Sequence, residues 1–144
     1  MNGFLGRYEH QMDEKGRVSL PSAFRRAVKG DRFVLLQWEP PYLTLFTPEV
    51  WGEVQARLVD FRKSERGAWH HVREILSTAV EVGPDKQGRI LVPSWLQESA
   101  NLGGTVLLNG NIDRIEIWDP ATYDTTVRKA AGADLAQVAH RIFG

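Results

Sequence analysis

The chain of 144 residues contains no cysteine. That excludes a disulfide framework and a thiolate metal site, and it fits a reducing compartment. No stretch approaches the roughly 18 unbroken apolar residues of a membrane span, and the opening MNGFLGRYEH has no secretory apolar core. The expectation is a cytoplasmic protein without a membrane partner. Net charge is absent too: 18 basic side chains balance 18 acidic ones, so no overall field draws the chain to nucleic acid. A Gly-rich phosphate loop and a serine elbow are both missing, which argues against an enzyme, and no cofactor or small-molecule substrate is expected. His70 and His71 point about 100° apart on a helix and cannot jointly hold a metal. One of them is expected to be buried and the other exposed. His10 and Asp13 flank a turn without a nucleophile. A hydrolase built on them would lose activity in His10→Ala.

What the chain does have is a repeat. MDEKGRVSLP at residues 12–21 returns as PDKQGRILVP at residues 84–93. At this offset of 72, Asp13, Gly16, Arg17 and Pro21 fall on Asp85, Gly88, Arg89 and Pro93. Val34-Leu35-Leu36 falls on Val106-Leu107-Leu108, Leu43–Phe46 on Ile115–Trp118, and Pro48 on Pro120. The alignment is read without a gap across residues 8–51, and duplication is the strongest signal in the sequence.

Each copy reads as strand, turn, strand, helix, strand, turn, strand. Residues 4–12 are strand-like, and Asp13-Glu14-Lys15-Gly16 is a turn whose glycine takes positive φ. Arg17-Val18-Ser19-Leu20 alternates, placing Val18 and Leu20 on one face. Pro21-Ser22 opens a short helix with Phe24, Ala27 and Val28 on one side. Residues 33–38 and 42–46 form a hairpin around Pro40-Pro41.

Thr47-Pro48 and Asp119-Pro120 are helix starts, a capping residue before a first-turn proline. Val50, Trp51, Val54, Leu58 and Phe61 keep helical spacing. A further helix from Ser64 carries Trp69, Val72, Ile75, Leu76 and Ala79, and a tail helix from Asp134 carries Leu135, Val138, Ala139 and Ile142. A lone unit of about 40 residues is too small to sustain a core. Two units sheltering each other's apolar faces give a pseudo-twofold barrel. The expected organisation is an N-terminal repeat with its helix over 1–62, then a bridging helix, the second repeat and the tail helix over 63–144. Both belong to one intimate domain.

DEKGRVSLP with DKQGRILVP, followed by RIEIWDP, resembles the MraZ family of bacterial transcriptional regulators, and the resemblance spans nearly the whole chain. It implies an α+β fold, a duplicated AbrB-like swapped-hairpin β-barrel of the pseudo-twofold double-psi type with flanking helices. It also implies ring-shaped homo-oligomers in the cytoplasm and nucleoid. Their ligand would be double-stranded DNA, at short promoter repeats upstream of the division and cell-wall gene cluster. Asn111-Ile112-Asp113-Arg114 departs slightly from the family's pattern, in which asparagine more often directly precedes the basic residue.

The residues themselves give DNA contact a location. Residues 7–32 hold Arg7, Lys15, Arg17, Arg25, Arg26, Lys29 and Arg32 against Glu9, Asp13, Glu14 and Asp31, whereas residues 79–104 hold only Lys86 and Arg89 against Glu81, Asp85 and Glu98. Asp13 caps its turn and pairs with Arg17, and the guanidinium keeps donors for a phosphate or a guanine edge. Lys15 reaches out from the turn tip. Arg25 and Arg26 project from the helix to solvent, and their counterparts Gln97 and Glu98 are poor neighbours for phosphate. DNA contact is therefore assigned to the N-terminal unit: Lys15, Arg17, Arg25, Arg26 and Arg7, with Lys86 and Arg89 as weaker candidates. Asp13 with Gly16 and Asp85 with Gly88 are the structural turn pairs. The aromatics Trp51, Trp69, Trp118, Phe46 and Phe61 are read as core or subunit-interface residues. The competing reading is a protein-interaction or scaffold module on the same fold.

Overall fold

The computed structural model describes residues 3–27 and 32–144. Val28, expected on the first helix, lies outside the described residues, as do Lys29 and Asp31. Among the described residues the first half holds β1 (Arg7–Gln11), β2 (Arg17–Ser19), α1 (Ser22–Arg26), β3 (Phe33–Leu36), β4 (Leu43–Phe46) and α2 (Pro48–Ser64). A 3₁₀ turn, Arg66–Ala68, leads to α3 (Trp69–Ser77). The second half holds β5 (Val80–Val82), β6 (Arg89–Leu91), α4 (Ser94–Ser99), β7 (Thr105–Asn111), β8 (Arg114–Trp118) and α5 (Pro120–Tyr123). A π-helical segment, Asp124–Arg128, joins α5 to α6 (Lys129–Ala131), and α7 (Leu135–Phe143) ends the chain. The protein is α+β with antiparallel strands.

The strands do not stay within their halves. One six-stranded sheet has the order β1-β7-β8-β4-β3-β5, and β2 pairs with β6 in a separate ribbon. Exchanging each strand for its counterpart in the other half reads the first order backwards and leaves the second unchanged. Val18 faces Ile90 and Thr44 faces Glu116, and each of these pairs is 72 residues apart, so both lie on the pseudo-dyad. The turn after β1 closes locally, with the Asp13 amide donating to the Arg17 carbonyl at 3.0 Å. Yet β1 pairs with β7, and β2 with β6. A three-residue strand cannot hold itself, so each half completes the other.

The gapless alignment requires one correction. In the two hairpins Val34 pairs with Phe46, and Leu107 pairs with Trp118. Phe46 and Trp118 are 72 apart, but Val34 and Leu107 are 73 apart. Phe33 and Leu35 face the central core, as do Val106 and Leu108, whereas Leu36 faces the opposite side. The second copy thus has one residue more before its third strand and one fewer in the hairpin loop. A single-residue slip flips every side chain to the other face. Runs such as Phe-Val-Leu-Leu hide the slip because both faces of that strand are apolar.

Both faces are apolar because both are covered. β3 and β4 are buried at every position. The central core packs Val18, Ile90, Leu45 and Ile115 between the ribbon and the inner face of the sheet. Outside the sheet, α2 and α3 cover Val34, Leu36 and Phe46, and the α5 segment brings Tyr123 onto Tyr42, Leu107 and Trp118. Thr47 and Asp119 cap their helices by accepting from the amides of Val50 and Thr122. Phe61, on the far end of α2, and the α7 side chains Leu135, Val138, Ile142 and Phe143 are exposed. Both His70 and His71 are exposed, rather than one of them, with their rings 3.9 Å apart.

Candidate nucleic-acid interface

On the β2–β6 ribbon the alternation puts Val18 and Ile90 inward, fully buried. Arg17, Ser19, Arg89 and Leu91 therefore stand on the outer face, with Arg17 opposite Leu91 and Ser19 opposite Arg89. The arginines of the two motifs share one surface.

Each turn is built the same way. The Asp13 carboxylate accepts from the backbone amides of Lys15 (3.0 Å) and Arg17 (2.8 Å) and from Arg17 Nε (2.6 Å). Asp85 repeats this with the amides of Gln87 (2.9 Å) and Arg89 (3.0 Å) and with Arg89 Nε (3.0 Å). These donors, led by the arginine amide in each case, hold both carboxyls below their ordinary range. Asp13 also lies 3.8 Å from Arg89 Nη1, which links one motif to the other. Among the described residues neither Arg17 nor Arg89 uses an Nη group in a hydrogen bond. Nε is spent on orientation, and the outer edge of each guanidinium keeps the paired donors that match a phosphate or the O6/N7 edge of guanine.

The turn glycines join the halves. Gly16 and Gly88 sit at φ +86° and +76°. The Gly16 carbonyl accepts from the Val92 amide and the Gly88 carbonyl from the Leu20 amide, both at 2.9 Å. Over Gly16 lies the Gln97 side chain, which donates to the Val92 carbonyl at 2.7 Å. The equivalent place over Gly88 is filled by the guanidinium of Arg25.

That placement is not the one chain order suggests. Chain order groups Arg25 with the N-terminal turn, which it follows. Strand exchange instead sets it against the second turn, beside Lys86 and Arg89. The two turns carry Lys15 with Arg17, and Lys86 with Arg89 and Arg25, so the cationic side chains are spread over both motifs. Lys15, Lys86 and Arg26 are exposed. Arg7 is elsewhere: it begins β1, about 20 Å of extended chain from the turn, with its guanidinium over the Tyr123 ring at 5.5 Å. The structure does not bring it to the ribbon. Leu91 is a surface residue of the ribbon that sequence reasoning missed, although the alternation through Ile90 places it there as the alternation through Val18 places Ser19 on the face of Arg17. Arg114 is occupied, bonded through Nε and Nη2 to Asp113 at 2.9 and 3.2 Å and lying over the Phe46 ring. Among the described residues no cluster of three or more potential ligands can hold a metal ion, and no helix is long and apolar enough to cross a membrane.

Fold and site together define a duplicated α+β protein whose two Asp-x-x-Gly-Arg turns meet on one exposed ribbon. The family described as "MraZ protein, putative antitoxin-like" matches residues 4–68 and 75–144, and the chain belongs to it. It is 36% identical over 122 residues to a protein of Acetivibrio thermocellus named "Transcriptional regulator MraZ", covering 85% of each chain. It is 38% identical over 120 residues to a protein of the same name from Thermoanaerobacter pseudethanolicus, covering 83% of each. A third such protein, from Thermoanaerobacter sp. strain X514, is 37% identical over 120 residues, again covering 83% of each.

Proposed function

We propose that the protein is a sequence-specific, DNA-binding transcriptional regulator that is not an enzyme. It acts in the cytoplasm at the nucleoid as a homo-oligomeric ring. The fold is read as a duplicated swapped-hairpin barrel of one intimate domain, with repeats over 1–62 and 63–144, and the exchange of β1, β2, β5 and β6 between halves supports that reading. The names of its relatives support a regulatory role, and the resemblance set out above points to promoter repeats of the division and cell-wall gene cluster.

The observation that carries the proposal is the pair of arginines on the ribbon, each fixed through Nε by its own aspartate and, among the described residues, with Nη groups not used in any hydrogen bond. A preoriented guanidinium loses little freedom on meeting a base edge or a phosphate. Lys15, Lys86 and Arg25 add phosphate contacts around them. Arg26 is exposed at the end of α1 and extends this set, while Arg7 contributes least because it stands at the far end of β1.

One ribbon covers little DNA, so a single protomer binds weakly. A ring that offers several ribbons to successive repeats gains by effective concentration. Self-association is supported by the exposed apolar side of α7 and by an apolar recess lined by Leu36, Trp38, Trp51, Leu58, Val72 and Leu76. Footprinting on the DNA immediately upstream of its own gene tests the proposal. A protected tract of regular repeats, abolished by Arg17→Ala, is expected; no protection at any repeat overturns it.

The alternative is an interaction or scaffold module, favoured by those same apolar surfaces and by the zero net charge. Under it, Arg17→Ala and Arg25→Ala alter oligomerisation or partner capture and leave DNA retention unchanged.

A further inference from the structure

A second group of cations stands where α2 meets α3. Arg62 and Lys63 end α2, Arg66 lies in the 3₁₀ turn, and Arg73 follows on α3. With Trp69 and His70 they line an open recess of about 550 Å³. Among the described residues none of the four makes an ion pair, although the chain as a whole is neutral. Arg62 lies over the Trp69 ring at 5.4 Å, and the Gly67 carbonyl accepts from Nδ1 of His70 at 3.1 Å, which leaves the outer edge of that imidazole free.

Local stability explains only part of this. Arg62 and Lys63 suit the C-terminal end of α2, where the helix dipole favours positive charge. Arg66 does not, because it precedes the N-terminus of α3, where a cation is disfavoured. Four cations without an ion pair among the described residues, gathered in one place, repel one another until an anion arrives.

We propose that this recess is a second contact for the phosphate backbone of nucleic acid, separate from the ribbon and indifferent to sequence. The recess is shallow and open, with its cations spread over two helix ends. A small phosphorylated ligand would need enclosure, whereas a duplex backbone presents phosphates at the surface to such a row. The helices α2 and α3 cover the outside of the sheet and the ribbon closes its inside. The patch therefore meets a different stretch of backbone from the one on the ribbon. This inference extends the DNA-binding reading and is tested apart from it.

The test uses the full chain with Arg17→Ala and Arg89→Ala, which removes both of the ribbon's reading groups, and a scrambled 20-bp duplex measured over a salt series. Adding Arg62→Gln, Arg66→Gln and Arg73→Gln lowers affinity for that duplex at least about tenfold. It also flattens the log–log salt slope by about two to three, near 0.9 for each phosphate no longer neutralised. The same three positions changed to lysine restore both values. An unchanged slope in the glutamine variant, or no recovery with lysine, overturns the inference. Failure of the ribbon reading shows separately, as a chain with Arg17→Ala and Arg89→Ala that still prefers the natural promoter over the scrambled duplex. A wild-type chain that retains neither duplex overturns both.

Discussion

The carboxylate of Asp13 lies between two arginines that are 72 positions apart in the chain, 2.6 Å from Arg17 Nε and 3.8 Å from Arg89 Nη1. One aspartate thus closes its own turn and approaches the other motif across the pseudo-dyad. The repeat in the sequence becomes a single surface through this relationship.

Acid stability follows from the two aspartates. Each has its pKa lowered from an ordinary 3.8, chiefly by the amide of the following arginine. A depressed folded-state pKa stabilises above the unfolded value, and the contribution disappears as pH falls through the folded one. The urea midpoint is expected to be insensitive to these groups from neutral pH down to about 4, then to drop below that. In Asp13→Asn with Asp85→Asn the drop is smaller. An equal drop in both proteins contradicts the role given to these carboxylates.

The turn glycines are not equivalent. An alanine Cβ at either position is strained by the positive φ, at about 1–2 kcal/mol. At Gly16 it also falls 2.7 Å from the Val92 carbonyl oxygen, a backbone atom, whereas at Gly88 its three nearest neighbours all belong to the movable Arg25 guanidinium. Chemical denaturation is expected to rank Gly16→Ala as less stable than Gly88→Ala. Equal losses would show that the turns tolerate a methyl alike.

Thr44 sits on the pseudo-dyad with its hydroxyl buried and, among the described residues, without a hydrogen-bond partner. Thr44→Val keeps the shape and removes the unsatisfied group, so stability is expected to rise by about 1 kcal/mol. A loss on denaturant titration would mean that the hydroxyl is hydrogen-bonded in solution.

The tail helix supplies a test of assembly. Ile142 and Phe143 are 70% and 86% exposed, more than an isolated surface helix needs. Light scattering on Ile142→Glu with Phe143→Glu is expected to show a smaller assembly than the wild type, with unchanged far-UV circular dichroism. An unaltered mass removes α7 from the interface.

Much of this architecture is legible in the chain. The capping pairs Thr47-Pro48 and Asp119-Pro120 mark helices because their signals are local, and the Asp-x-x-Gly-Arg turns are visible for the same reason. The slip of one residue between the third strands is hidden, since Leu35 and Leu36 are equally apolar and burial on both faces erases alternation. That Arg25 lies over Gly88 is hidden in the sequence, because proximity in the chain stands in for proximity in space only while a unit folds on itself. Here β1 and β2 pair with the other half, and the helix after them follows. The cluster from Arg62 to Arg73 is inconspicuous beside the His70-His71 pair, for its charges converge only once the chain bends between α2 and α3.

The central claim is that the two ribbon arginines read DNA. Its most direct test is the affinity ratio between the protein's own upstream DNA and a scrambled duplex of equal length, at one fixed salt concentration. It is measured for the wild type, Arg17→Ala and Arg17→Ala with Arg89→Ala. The account predicts a ratio well above one that falls roughly 5- to 150-fold, the equivalent of about 1–3 kcal/mol, with the first substitution and approaches one with the second. A ratio that survives both substitutions intact would contradict it.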